Sequence, residues 1–242
     1  MQELEKIKKI NKLRVGISLQ NGLQGAPWSW RDDQTQAILG FEADIARALA
    51  KKLTMHVDFV PLDNHRLIIG LIKNSCDIGL GALRPQNKMA GINYSIPYYS
   101  ITQRLITPEG SIAYDLADLK GDKVGVLKNS IGEYIIQQEN TNLPSPITIC
   151  SYEDVLHLFA AIQFKEISAI FIDSPIALWY TKTNLEKKLH VSDTAYKSGN
   201  YAIALRSDDK DLIDNVNNAL KEINTHEILD KYGLWDNAQE NY

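Results

Sequence analysis

The sequence predicts an α/β protein of two lobes, each a mostly parallel sheet flanked by helices. Three observations carry this reading. Short β-type runs alternate with stretches of helical periodicity, which pairs strands in parallel through right-handed crossovers. The alternation runs from Leu13 to Leu80 and starts afresh at Lys123. A tail with one more strand and more helix follows the second series.

In the first series Leu13–Ile17 (LRVGI) is a strand, followed by a Gly/Pro/Trp-rich loop at Asn21–Trp30. FEADIARALAKKL, from Phe41, places Phe41, Ile45, Ala48 and Leu49 on one helical face. His56–Val60 is a strand, Leu67–Ile72 a short helix capped by Asp63 or Asn64, and Asp77–Leu80 a strand. In the second series Lys123–Leu127 (KVGVL) leads through a loop into a helix near Gly132–Gln138. Pro144–Ile149 leads to a strand, and Tyr152–Phe164 is a helix with Val155, Leu158, Phe159 and Ile162 on one face. Ala169–Ile172 is an apolar strand. Asp173-Ser174-Pro175 opens the next helix, where the missing N–H of proline costs nothing. The tail holds a strand at Tyr201–Leu205, an amphipathic helix from Asp211 and a short helix at Glu227–Tyr232.

At 242 residues the chain holds one large or two small domains. A hydrophobic share of 44% with 23% charged residues supports a packed core. Net charge −4 and a pI of about 5.8 argue against general nucleic-acid binding, which needs a basic face. No apolar run approaches the ~20 residues that span a bilayer. The start, MQELEKIKKINKL, lacks the apolar centre of a signal peptide, which leaves a cytosolic protein or a removed signal. Cys76 and Cys150 have no metal-like neighbours and are expected to be free, buried thiols.

Several segments, in order, resemble the amino-acid-binding family of periplasmic solute-binding proteins that serve ABC importers. These are LEKIKKINKLRVGI, APWSW with GFEADIARALAKKL, CDIG with YSIPYY, LKGDKVGVLKNSIGE, ISAIFIDSPIALWY, YAIALR and HEILDKYGLW. Each is weak alone; together they cover nearly the whole chain. The resemblance implies a type II periplasmic binding fold with lobe 1 at 1–102 and 200–242 and lobe 2 inserted at 103–199. Crossings near Ser100–Arg104 and Ser198–Ala202 would join the lobes, with a small polar ligand, an amino acid, captured between them.

A buried zwitterion needs an anion for its ammonium and donors for its carboxylate. Asp173 ends a strand and starts a helix, so its position alone suits a helix cap as well as a ligand anion. The resemblance implies the ligand role. On the carboxylate side the chain departs from the family's Gly-x-Thr-x-Thr-Pro-Glu-Arg: it reads GALRPQNKMAGINYS from Gly81. Counting back from Tyr94 puts Lys88 at the Arg position; counting forward from Asp77 puts Arg84 at a ligand-facing Ser or Thr. Ala82 joins them as a ligand-facing position. Ser130 and Ile131 match the family's Thr pair, whose backbone N–H groups meet carboxylate oxygens at a helix start. Asn129 stands for the preceding Gly, in a backbone that turns left-handed. Trp28 and Trp30 are candidates to pack on the ligand, with core packing the competing role. Glu42 and Asp44 are read as helix-entry charges.

The resemblance implies a monomer without metal, cofactor or catalytic residues, which delivers solute to an inner-membrane ABC permease. Its place is then periplasmic, or lipid-anchored outside the membrane. Two alternatives stand beside it. A prephenate or arogenate dehydratase-like enzyme on the same fold would need a general acid, for which His65 is the candidate. A ligand-sensing domain cut from a larger receptor is the other.

Overall fold

The computed structural model describes residues 3–21, 25–85, 89–183 and 188–235. The chain forms two compact units. Unit 1 takes the described residues up to Ser100 together with Asn200–Trp235, and unit 2 takes Ile101–Gly199.

Unit 1 begins with α1 (Glu3–Ile10) and β1 (Lys12–Ser18). Three two-residue strands follow: β2 (Gln20–Asn21), β3 (Trp30–Arg31) and β4 (Ile38–Leu39), which make a small sheet of their own in the order β2-β3-β4. Then come α2 (Phe41–Lys52), β5 (His56–Leu62), α3 (Asn64–Ile72) and β6 (Ile78–Leu80). The long strand β7 (Ile92–Pro108) leaves for unit 2. The long strand β11 (Leu189–Arg206) returns, followed by α7 (Lys210–Glu222) and α8 (Thr225–Lys231). The sheet order in this unit is β5-β1-β6-β11. β1 is parallel to β5 and β6, and β11 is antiparallel to β6, with Ala204 opposite Gly79.

The long helix α2 forms where the periodicity predicts it, with Phe41, Ile45, Ala46 and Leu49 buried. Its first N–H groups are capped by backbone rather than side chain: Phe41 donates to the Pro27 carbonyl and Glu42 to the Trp28 carbonyl, each at 3.1 Å. Gly40 permits this, because a Cβ there would stand 2.1 Å from the Trp28 oxygen and its φ is +117°. α3 starts at Asn64 rather than Leu67, since the first turn behind Asp63 is polar and carries no apolar signal. α1 was not readable: it buries only Leu4 and Ile7, and the Leu4 N–H donates to Asp211 Oδ2 of α7 at 3.1 Å.

Unit 2 contains a 3-10 turn (Leu116–Leu119), β8 (Lys123–Leu127), α4 (Ile131–Asn140), β9 (Thr148–Tyr152), α5 (Val155–Gln163), β10 (Ala169–Asp173) and α6 (Ser174–Thr183). Its sheet order is β7-β10-β8-β9, with β10 and β9 parallel to β8 and β7 antiparallel to β10. Both units therefore set three parallel strands beside one antiparallel long strand. The core of unit 2 gathers Leu105, Leu116, Val124, Val126, Ile136, Ile147 and Phe171. Each such side chain contributes about 1.5–3 kcal/mol by leaving water. Both cysteines are free. Cys76 is buried as expected, but Cys150 is only half-buried, because β9 is the last strand of its sheet. Among the described residues no helix is long and apolar enough to cross a membrane.

Candidate functional site

In unit 2 the antiparallel register sets Asp173 directly opposite Gln103. Asp173 ends β10, and in open α/β sheets ligands bind at the carboxyl ends of the strands. The Gln103 amide nitrogen donates to Asp173 Oδ1 and to Ser198 Oγ, the latter at 3.0 Å. Gln103 is fully buried, and its Oε1 has no hydrogen-bond partner among the described residues. That oxygen faces the first turn of α4: a Cβ on Gly132 would stand 2.6 Å from it. A side chain at 132 would push the end of Gln103 away from this place.

α4 is well capped. Ser130 Oγ accepts the Glu133 N–H at 3.0 Å, and Glu133 Oε2 accepts the Asn129 N–H at 2.6 Å. Asn129 takes φ +57°, the left-handed turn expected of it. The caps leave the N–H groups of Ile131 and Gly132 without an acceptor among the described residues. Two backbone donors at a positive helix end thus stand beside a carboxylate and a buried amide oxygen. This arrangement offers donors to an anion and acceptors to a cation within a few residues.

Unit 1 carries a second set of groups. The turn after β6 takes Ala82 at φ +53°, and its N–H donates to Glu42 Oε1 at 2.7 Å. Arg84 lies with its guanidinium carbon 5.8 Å from the Tyr201 ring centroid, a cation–π distance. Tyr201 stacks on Tyr99 at 5.9 Å, and Phe41 and Tyr98 complete the aromatic cluster.

Residues 14–234 match the profile of the bacterial extracellular solute-binding proteins, family 3. The chain belongs to this family. It is 30% identical over 199 residues to the arginine-binding extracellular protein ArtP of Bacillus subtilis (strain 168), covering 80% of this chain and 76% of that one. It is 28% identical over 221 residues to the L-cystine-binding protein TcyJ of Escherichia coli (strain K12), covering 88% and 80%. Among solved structures, the second substrate binding domain of a putative amino acid ABC transporter from Streptococcus pneumoniae Canada MDR_19A superposes with a TM-score of 0.82. That match has 19% identity and covers 91% of this chain and 99% of that one, which establishes the shared fold. The fold is the two-lobed type II substrate-binding fold that the sequence predicts.

Within this solute-binding framework the expected residues fall into two groups. Asp173, Ser130 and Ile131 stand in unit 2 near the α4 start, and Ala82 and Arg84 share a turn of unit 1. Trp30 packs edge-on against Tyr232 at 6.2 Å in the core of unit 1. Trp28 is half-buried, and its indole N–H has no acceptor among the described residues. Lys88 lies outside the described residues, as does the side chain of His65. Asp44 is half-buried and fully paired, with Arg47 at 2.8 Å, Lys231 at 2.6 Å and the Tyr232 hydroxyl. Glu42 is wholly buried, accepts from Ala82 N–H and Tyr98 O–H, and burial pushes its carboxyl up to about 7 although both bonds pull the other way.

Two residues of this framework were missed in the sequence. Gln103 and Glu42 find their partners 70 and 40 residues away, so nothing local marks them. Residue type was a weak signal for both: Gln103 sits among other polar residues, Thr102 and Arg104, of the same strand, and Glu42 is an acid directly after a buried Phe.

Proposed function

We propose that this chain captures a free amino acid as the solute-binding component of an ABC importer, outside the cytoplasmic membrane, and catalyses no reaction. Asp173 takes the ammonium group, Gln103 Oε1 accepts a second of its hydrogens, and the N–H groups of Ile131 and Gly132 take carboxylate oxygens. In unit 1, Arg84 is the ligand-binding guanidinium of this proposal, in place of the family's usual Arg. One observation carries the reading. A buried glutamine pins Asp173 beside a helix start whose first donors are unused, so complementary charges are already in place for a zwitterion. L-arginine leads the candidate ligands because the relative at 30% identity is named for it. Trp30 is left out of the site because its ring is committed to the core.

Isothermal titration with L-arginine, L-histidine, L-cystine and L-glutamine tests this. At least one is expected to bind at micromolar concentration or tighter. Asp173→Asn keeps the shape and removes the charge, and should weaken that ligand by about 100-fold or more, the penalty of stranding a buried ammonium. Silence across the panel, or an unchanged affinity in Asp173→Asn, would overturn the proposal.

A further inference from the structure

Glu42 is a group of unit 1 whose environment its expected role leaves unexplained. A helix-entry charge belongs in water, and this carboxylate is fully buried. Its Oε1 accepts two bonds, from the Ala82 N–H at 2.7 Å and from the Tyr98 hydroxyl, and its Oε2 has no partner among the described residues. The Ala82 bond crosses 40 residues and fastens a turn in a conformation that residues with a Cβ rarely adopt. On the other side of that turn the Leu83 carbonyl accepts the Ala202 N–H at 3.0 Å. The Tyr98 bond leads to the same place by another route. Tyr98 packs on Tyr201 at 6.3 Å, and Arg84 lies over Tyr201.

We infer that Glu42 is a positioning residue for ligand binding: it holds the Ala82 turn by its backbone and the Tyr98–Tyr201 platform by its hydroxyl bond, and so fixes where the Arg84 guanidinium stands. The role of Arg84 toward ligand rests on the proposed function above. The groups that face Glu42 are the Ala82 N–H from the turn after β6, Tyr98 from β7 and, through Tyr98, Tyr201 from β11. Asp44 on its own helix is turned to Arg47, Lys231 and Tyr232. With a carboxyl titrating at about 7, the clamp changes strength in the neutral range, because a carboxylate accepts the Ala82 N–H more strongly than a neutral acid does.

The test uses the full chain and Glu42→Gln, which keeps size and an acceptor but cannot ionise. Titration with L-arginine, whose side chain keeps its charge throughout, is run from pH 5.5 to 8. Wild type should lose roughly tenfold in affinity toward pH 5.5, one pKa unit of coupling, and Glu42→Gln should stay flat. In parallel, the 15N–1H resonance of Ala82 is followed against pH without ligand. It should titrate near 7 in wild type and not in Glu42→Gln. If the panel of amino acids stays silent while the Ala82 amide titrates only when Glu42 is present, the amino-acid reading falls and the clamp stands. An Ala82 amide indifferent to Glu42, or the same pH slope of affinity in both proteins, overturns the clamp.

Discussion

At the scale of single residues, Glu42 sets a stability prediction independent of any ligand. Its ordinary pKa is 4.5 and burial raises it to about 7 in the folded chain, so the folded state holds a proton that the unfolded state has released between those values. The stabilisation is therefore complete below pH 4.5 and is lost as pH rises to about 7. The size is about 3 kcal/mol. Denaturant midpoints of wild type relative to Glu42→Gln should fall across this range and level off above it; a difference that stays constant with pH would contradict the burial of this carboxyl. Residues of this kind set the limit of what the sequence discloses. Asp173 was marked as the end of a strand and the start of a helix by the adjacent acid and proline, but its ligand role came only from the family resemblance. Glu42 and Gln103 were not, because their meaning lies in partners supplied by tertiary pairing.

At the scale of elements, α4 is the informative case. The periodicity placed a helix near Gly132–Gln138, and only the family resemblance put its start at Ser130 and Ile131; the cap is conventional, and Ser130→Ala should cost about 1 kcal/mol and lower the melting temperature by a few degrees. Gly132→Ala separates helix stability from function. Helix propensity alone favours alanine by about 1 kcal/mol. The added methyl would press on Gln103 Oε1, so ligand affinity should drop while the far-ultraviolet circular dichroism is unchanged. An alanine variant that binds as wild type would separate Gln103 from the ligand. The long strands were the least legible elements. Crossings were expected over five residues each, yet β7 runs Ile92–Pro108 and β11 runs Leu189–Arg206. From Tyr98 to Thr107 every residue of β7 is buried, polar Thr102, Gln103 and Arg104 included, so the alternation that betrays a strand is missing. β5 and β8, with ordinary β-type runs, were found within two residues.

At the scale of the whole molecule, ligand and fold are linked by mass action. With amino acid at 100 times its dissociation constant the folded state gains about 2.7 kcal/mol, read as a rise in melting temperature that Asp173→Asn should abolish. The discontinuity of unit 1 has its own consequence. β6 pairs with β11, so the sheet of this unit lacks a strand until residues beyond 200 arrive, whereas among the described residues unit 2 takes one uninterrupted stretch, Ile101–Gly199. During synthesis on a ribosome the later-born piece can therefore fold first. The earlier-born piece must wait with its β6 edge unpaired.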